Sequence, residues 1–540
     1  MLIYSIENLY YLPVFLLAVT LSAAASRRFF SYWNLWAHLL GGLILSSSLF
    51  YIVHLTWVIY STGELISKVF LVSIFVATLI SFGFLFLELF TIANVMARKS
   101  HREVLIEPQG SLKYEPFVSI HVPTFTEPPE VVKATLEALT QLDYKNYEVL
   151  VIDNNTIVNE FWEPVRDYCL EIGPRFRFFH VDNLPGAKAG ALNFALQNTD
   201  ARAEIIAVID SDYQVKPDFL KALVPHFKNP KIAIVQTPQD YRDFTPGSYA
   251  ENCLWEYRYF FSFVMPSCHE YNAASFMGTM GLIRKRVLTD IKNWSEWCVT
   301  EDTELGVRTN QNQLETVYLD KSFGEGLMPF EFRDYKNQRH RWVFGNMQII
   351  RRNVGDLFFS LSSINKLDVF QKISYLSQLT VWFNNIFLIS LITLSISLAK
   401  LFNFMVPDSV IFTTLLLFII FMSSKTLIFL WALKKKEGLN LHQACGALFS
   451  HLSLSWPMAT AWWKCLFSPK GSFWRTSKEP HKLITKDRVQ TVEWELLFFI
   501  AFTFLGIFFV TQEQFLIATL LLAQAALIYL PPLVAIVKFK

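Results

Sequence analysis

Long apolar segments on both sides of a polar central region constrain this chain more than any other feature. A helix needs roughly 20 apolar residues to cross the hydrocarbon core of a bilayer, and 52% of the residues are hydrophobic. The first segment lacks a basic start and a cleavage site, so we expect it to be retained rather than removed as a signal peptide. The predicted spans are residues 9–25, 37–60, 69–94, 380–402, 410–433, 494–511 and 515–537.

Basic residues beside these segments predict their orientation, because Lys and Arg concentrate on the cytoplasmic side. Arg27 and Arg28 follow the first segment, and Lys434–Lys436 follow the fifth. Residues 440–466 are also apolar, which makes eight spans the alternative to seven. A crossing there would leave the basic stretch 470–488 outside, so interfacial helices are predicted instead.

The polar central region is therefore expected in the cytoplasm. A net charge of +2 predicts no nucleic-acid partner, and the six cysteines form no CxxC pair that would indicate a zinc site. The predicted organisation is three spanning helices in 1–98, a cytoplasmic domain in 99–352, an interfacial segment in 353–379, two spanning helices in 380–433, cytoplasmic interfacial helices and a loop in 434–493, and two spanning helices in 494–540.

The central region alternates strand-like and helix-like stretches, which predicts an α/β fold with a largely parallel sheet. Polar residues follow several of the strands, at the edge where such sheets bind ligands. The predicted strands are Phe117–Val122, Glu148–Ile152, Arg177–Val181, Ile205–Ile209 and Ile232–Gln236, and the predicted helices include Pro128–Leu139 and Lys188–Gln197.

Asp210 and Asp212 directly follow an apolar strand. Carboxylates at such a position can hold Mg²⁺ or Mn²⁺ against the phosphates of a nucleotide. An ordinary Asx turn is the alternative, and it would be preferred if the motif stood alone. The other acidic motifs of the chain favour the metal site.

Glu301 and Asp302 precede a helical run. A carboxylate here can take a proton from an attacking hydroxyl, and Asp302 is the predicted base with Glu301 beside it. A helix N-cap is the alternative reading, and one residue can serve both purposes.

The run from Gln338 to Trp342 combines a guanidinium with a flat ring. Arg341 can form a bidentate contact with a diphosphate, and a sugar can stack on Trp342. Binding of anionic lipid headgroups is the alternative, but it does not explain Gln338 or Trp342. Lys188 lies in a turn of small residues where its ammonium can meet a phosphate.

Taken in order, these motifs resemble family 2 processive glycosyltransferases, the superfamily of cellulose, chitin and hyaluronan synthases. The resemblance implies an α/β GT-A glycosyltransferase domain inserted in a multi-span α-helical membrane protein. It also implies roles for single residues. Nucleotide binding falls to Thr124, Glu127, Asp153, Lys188, Asp210 and Arg341, metal binding to Asp212 with Asp210, catalysis to Asp302 with Glu301, and the acceptor site to Gln338 and Trp342.

Two further stretches carry the same resemblance. Phe276, Gly278 and Thr279 stand where cellulose synthases have an acceptor-site motif, although Met277 and Thr279 depart from it. Phe473, Thr476 and Lys478 resemble the gating loop of the family, with Arg475 in place of a valine.

The resemblance implies processive, inverting transfer of glucose from UDP-glucose to a growing β-glucan, with export through the membrane helices. Two stretches, Gln239–Asp243 and Gly324–Pro329, are most similar to bacterial cyclic β-1,3/1,6-glucan synthases, which implies a bacterial inner membrane, with periplasmic or export partners. Non-processive transfer to a lipid, a synthase using another nucleotide sugar, and a transporter with a regulatory central domain remain as alternatives.

Overall fold

The computed structural model describes residues 11–103, 114–359, 367–383, 385–468, 471 and 485–538. The chain divides into two compact units. The helical unit comprises residues 1–101, 384–456 and 492–534, and the sheet unit comprises residues 102–383, 457–491 and 535–540.

Four of the described helices are long and apolar enough to cross a membrane: Leu35–Ser61, Leu65–Met96, Glu493–Thr511 and Phe515–Lys538. These helices identify the chain as a membrane protein. The other three predicted spans fall on helices outside this set of four, so the count of seven stays a prediction. Those helices are Tyr11–Phe29, Asn385–Leu401 and Asp408–Glu437.

Residues 440–466, which would supply the eighth span, form two helices of 13 residues each, Leu441–Ser453 and Ser455–Phe467. A helix of that length rises about 20 Å, which is less than the thickness of the hydrocarbon core. Neither helix can cross a bilayer alone, and their interfacial placement remains a prediction.

Polar contacts join spans within the helical unit. The ammonium of Lys425 lies 3.4 Å from a carboxylate oxygen of Glu88, and the hydroxyls of Tyr51 and Thr414 are hydrogen-bonded at 3.0 Å. Ionisable residues inside apolar helices normally pair with one another because an isolated charge is costly there. These pairs tie the N-terminal helices to those that follow residue 384.

The sheet unit is built on seven strands in the order β3-β2-β1-β4-β8-β6-β9. Strands β1 to β4 are parallel, and β8 lies antiparallel between β4 and β6. A smaller sheet has the order β5-β10-β7. The strands are β1 Phe117–Thr124, β2 Tyr147–Asn154, β3 Phe176–Val181, β4 Ala203–Val208, β5 Gln214–Val215, β6 Ile232–Gln236, β7 Tyr241–Arg242, β8 Gly281–Arg284, β9 Glu315–Tyr318 and β10 Gly324–Leu327.

Helices connect the parallel strands and cover the sheet, as parallel pairing requires. Strand β2 is buried along its whole length. The remaining helices are Pro129–Thr140, Asn159–Ile172, Ala187–Asn198, Phe219–Leu223, Val224–Lys228 (3₁₀), Tyr249–Tyr259, Phe260–Val264 (π), Met265–His269, Lys285–Asp290, Glu301–Gln311, Phe332–Arg352, Gly355–Phe359 (π), Val369–Thr380 and Thr485–Thr491, and the last span contains a π turn at Ala525–Tyr529.

The predicted α/β fold class is confirmed, and the five predicted strands and two predicted helices are present within two residues at each end. The parallel pairing brings Thr124 opposite Asp153 at the ends of β1 and β2. Asp210 follows β4 at the same edge of the sheet. The fold therefore gathers three of the predicted polar positions from strands far apart in the sequence.

Close packing at Gly306 generates a prediction about stability. A Cβ added there would lie 2.6 Å from the Cα of Ser275, inside the helix Glu301–Gln311. We expect Gly306→Ala to lower the free energy of unfolding by about 1–3 kcal/mol, because the backbones must move apart. Thermal unfolding in detergent would measure it.

Gly355→Ala is the matched control, since no atom lies within 4 Å of a Cβ at that position. Its melting temperature should equal or slightly exceed that of the wild type. Equal melting temperatures for both variants would contradict the packing described at Gly306.

Candidate functional site

A cavity of about 370 Å³ opens at the carboxyl edge of the sheet. It collects residues that lie more than 200 positions apart, from strand ends, from the helix Ala187–Asn198 and from two helices near the end of the unit. The predicted site residues that line it are Thr124, Glu127, Lys188, Asp210, Asp212, Gly278, Glu301, Asp302, Gln338, Arg341 and Trp342.

Lys188 connects three of these segments. Its ammonium donates to Asp210 Oδ1 at 2.5 Å and to the carbonyl oxygen of Gly278 at 2.9 Å. Burial lowers the pKa of Lys188, but the carboxylates of Asp210, Glu301 and Asp302 outweigh it and hold that pKa above its usual value. Lys188 therefore stays charged within the cavity, rather than being a solvated surface lysine.

Glu301 and Asp302 begin the helix Glu301–Gln311. Burial raises the pKa of Glu301 to about 8, with Asp302 adding to the rise and Lys188 opposing it. Burial raises the pKa of Asp302 as well. Its Oδ1 accepts from the backbone N–H of Thr303 at 2.7 Å, so Asp302 also satisfies one amide of the first turn. Asp302 can therefore satisfy a free amide at the N-terminus of the helix and still serve as a base.

Gly278 lies against Asp302. Its φ is +80°, and an added Cβ would come within 2.5 Å of Asp302 Oδ2 and 3.3 Å of Lys188 Nζ. A side chain here would be strained and would displace the carboxylate, so glycine allows this close approach.

Asp210 and Asp212 fit a hard divalent cation in part. Both line the cavity, and Mg²⁺ often takes one or two carboxylates and completes its shell with water and substrate phosphates. Asp212 Oδ2 accepts from the N–H of Leu327 at 3.0 Å. Among the described residues no three His, Cys, Asp or Glu side chains converge on one point. A cation here would therefore depend on oxygens from a bound nucleotide.

Asp153 is buried and does not line the cavity itself, and its contact with a nucleotide stays a prediction. Its Oδ1 accepts from Thr124 at 3.2 Å and from Thr156 at 2.7 Å, and its Oδ2 lies 2.7 Å from Nδ1 of His180. Burial raises the pKa of Asp153, and these hydrogen bonds oppose the rise. In this structure Asp153 orients Thr124, which does line the cavity.

Gln338, Arg341 and Trp342 lie on the helix Phe332–Arg352. Burial lowers the pKa of Arg341, while Glu301, Asp210 and Asp302 oppose that shift. The cavity thus sets two cationic side chains, Lys188 and Arg341, against a group of carboxylates. Such a balance suits a ligand that brings its own negative charge and a metal ion.

Two predicted acceptor-site residues lie outside the cavity. Phe276 is fully buried and packs against Trp294 at a centroid distance of 5.6 Å. Thr279 is also buried, and its hydroxyl accepts from the N–H of Asp210 at 3.0 Å. Both support the wall rather than present themselves to a ligand. The predicted gating loop, with Phe473, Thr476 and Lys478, lies outside the described residues.

Sequence reasoning missed several residues of the site. Gln239 and Tyr241 line the cavity, and the hydroxyl of Tyr241 donates to Gln239 Oε1 at 3.1 Å. Tyr257 lies behind the cavity and donates its hydroxyl to Gln338 Oε1. The sequence marks Gln239–Asp243 only through its resemblance to glucan synthases, and no spacing rule marks Tyr257.

Comparison with known proteins agrees with this geometry. Residues 205–433 match the family described as Glycosyl transferase family group 2. The chain is 31% identical over 245 residues to the cellulose synthase catalytic subunit (UDP-forming) of Pseudomonas fluorescens strain SBW25, covering 44% of this chain and 32% of that protein. It is 26% identical over 260 residues to glucomannan 4-beta-mannosyltransferase 7 of Arabidopsis thaliana, covering 46% of each chain.

Among solved structures, the mannosyltransferase PcManGT from Pyrobaculum calidifontis in complex with GDP-Man and Mn²⁺ is similar, with a TM-score of 0.49 and 16% identity. The similarity covers 71% of this chain and 98% of that chain. The two curated relatives are matched over about a third to a half of their own length.

The α/β fold and the acidic cavity thus lie in a part of the chain that is similar to glycosyltransferases. The family match spans less than half of the chain, and over a similar length the chain is similar to enzymes that are named as synthases or transferases of polysaccharides. These matches agree with the resemblance drawn from the ordered motifs.

The raised pKa of Glu301 generates a prediction about pH. Its value of about 8 lies above the ordinary value of 4.5, so between these values the folded state holds a proton that the unfolded state releases. This contribution to stability is full below pH 4.5 and is lost as the pH rises through 8. We therefore expect the melting temperature of the wild type, relative to Glu301→Gln, to fall between pH 5 and 8 and to level off above.

Glu130→Gln is the control for this titration, because the side chain of Glu130 is 84% exposed. Its melting temperature should follow the wild type across the same range. A constant difference between wild type and Glu301→Gln from pH 5 to 9 would show that Glu301 is not held protonated.

Proposed function

We propose that this enzyme transfers glucose from UDP-glucose to a growing β-glucan, processively and with inversion, and that it exports the product through its own helices. The observation that carries this proposal is the convergence of Asp210, Asp302, Arg341 and Trp342 on one cavity, in a chain with membrane helices. The cellulose synthase relative supports it, since its name specifies release of UDP.

In the proposed reaction, an acceptor hydroxyl attacks the anomeric carbon of the donor sugar. The new bond from the acceptor oxygen to this carbon forms as the bond from carbon to the diphosphate oxygen breaks, and UDP leaves with the electron pair. Asp302 takes the acceptor proton, and its raised pKa makes the carboxylate a stronger base than an ordinary aspartate.

Lys188 and Arg341 are the cationic groups that can receive the charge of the departing diphosphate. Lys188 is already held by Asp210 and Gly278, so little reorganisation is needed when the donor binds. Asp212 and Asp210 would hold Mg²⁺ or Mn²⁺. A bound cation would neutralise part of the diphosphate charge.

The proposed location is the inner membrane of a bacterium, with the sheet unit in the cytoplasm. Arg27 and Arg28 lie in the last turn of the first helix, and Lys434–Lys436 lie in the last turn of Asp408–Glu437. The positive-inside rule places both ends on the cytoplasmic side. Lipid surrounds the spans, and periplasmic or export partners are part of the same proposal.

A donor of mannose is the second candidate, because several relatives are named glucomannan 4-beta-mannosyltransferases. The charged residues of the cavity do not indicate whether the donor carries glucose or mannose. Release of nucleoside diphosphate from UDP-glucose, UDP-GlcNAc and GDP-mannose by the purified protein, with Mg²⁺ or Mn²⁺, distinguishes the donors. The proposal expects UDP-glucose alone to support turnover. Transfer to lipid would show instead as a single sugar on a lipid acceptor.

Two variants test the assigned roles. Asp302→Asn should lower the rate of UDP release by roughly 10²–10⁴-fold, the usual contribution of a general base. Arg341→Ala should lower kcat more than it raises the KM for the donor, because its contact strengthens as charge develops. Steady-state kinetics in lipid nanodiscs would measure both.

Tyr147→Phe serves as a control for both variants, because the hydroxyl of Tyr147 donates to the carbonyl oxygen of Leu139, away from the cavity. It should retain wild-type kinetics. A purely KM effect in Arg341→Ala would contradict its role in the transition state.

A further inference from the structure

Tyr257 is fully buried behind the wall of the cavity, on the helix Tyr249–Tyr259. It does not line the cavity. Its hydroxyl donates to Oε1 of Gln338, which does line the cavity. A single hydroxyl thus connects a buried helix to a residue that faces the ligand.

This hydrogen bond fixes the orientation of the Gln338 amide. A glutamine amide has one accepting oxygen and one donating nitrogen. Because Tyr257 occupies the oxygen, the nitrogen is directed elsewhere, and within the described ranges it donates to no protein group. Gln338 is therefore presented to the cavity as a hydrogen-bond donor, which suits a sugar hydroxyl.

The ring of Tyr257 supports a second cavity residue. It meets Trp342 edge to face, with centroids 5.7 Å apart and an interplanar angle of 73°. The guanidinium of Arg339 lies 4.1 Å from the centroid of Tyr257, 4.6 Å from that of Trp342 and 4.0 Å from that of Trp382. These contacts fix the plane of Trp342, which lines the cavity.

The position of Tyr257 is itself set by its neighbour in sequence. Glu256 accepts from Arg339 and, at 2.7 Å, from the hydroxyl of Tyr335. Glu256 and Arg339 are buried almost completely. A buried ion pair contributes little net stability, but it permits few alternative arrangements of the two helices that carry it.

We propose that Tyr257 is a positioning residue that orients Gln338 and Trp342 toward the acceptor sugar. The inference rests on the proposed function, since it requires that Gln338 and Trp342 meet an acceptor. It assigns Tyr257 no contact with the donor, because Tyr257 does not line the cavity and its hydroxyl donates to Gln338.

The test is Tyr257→Phe, which removes one hydroxyl and leaves the ring in place. UDP release is measured with UDP-glucose as donor, while laminaribiose or cellobiose is varied as acceptor. We expect the acceptor KM to rise roughly three- to tenfold, the effect of one lost neutral hydrogen bond. The donor KM should stay within about twofold of the wild type.

Tyr147→Phe is again the matched control, because it removes a buried tyrosine hydroxyl far from Gln338. A double-mutant cycle adds a readout that a merely structural role would not give. If the hydroxyl acts through the amide, Tyr257→Phe should cause no further loss of acceptor affinity in a Gln338→Ala background.

Equal acceptor KM values for Tyr257→Phe and Tyr147→Phe would overturn the inference, and so would additive losses in the cycle or an equal rise in donor KM. These results leave the proposed function intact, because the wild type would still turn over. Failure of the wild type to release a nucleoside diphosphate from any of the three donors would instead overturn the proposed function and, with it, the role of Tyr257.

Discussion

The ammonium of Lys188 holds together the parts of the site that the chain supplies separately. It joins Asp210, at the end of a central strand, to the carbonyl of Gly278, and Gly278 in turn lies against Asp302. Without a cation there, the Asp210, Glu301 and Asp302 carboxylates would repel one another in a partly desolvated space. Burial raises the pKa values of Glu301 and Asp302, and Lys188 and Arg341 oppose that rise. The cavity still holds more carboxylates than cationic side chains. The site is therefore suited to a ligand that arrives with a metal ion.

The opposite wall of the cavity depends on a different interaction. Arg339 is buried among aromatic rings and paired with Glu256, on the same helix that presents Gln338, Arg341 and Trp342. Arg339 and Arg341 are two positions apart and have different roles, because Arg341 lines the cavity while Arg339 fixes the helix. The two cationic side chains Lys188 and Arg339 therefore have different neighbours. Lys188 lies among the carboxylates of the cavity, and Arg339 packs against Trp342 on the helix that also carries Gln338.

Much of this arrangement could be predicted from the sequence. Hydrophobic patterning located the strands of the parallel sheet. The ordered motifs named the charged residues that line the cavity, because strand ends of a parallel sheet converge by geometry. Other features could not be predicted. Asp153, Phe276 and Thr279 resemble ligand contacts in sequence, yet they support the wall, since burial depends on long-range packing. Tyr257 carries no signal because its role arises only when two helices distant in sequence meet.

Processive synthesis, as proposed, requires that one cavity adds sugars repeatedly to the same polymer. The most direct test is the size of the product that the purified protein makes in lipid vesicles. The protein receives a pulse of radiolabelled UDP-glucose followed by unlabelled donor, and gel filtration then separates the labelled products by size. We expect long β-glucan while most acceptor remains unextended, and no polymer from Asp302→Asn. A product extended by a single sugar, or a uniform short ladder, would contradict it.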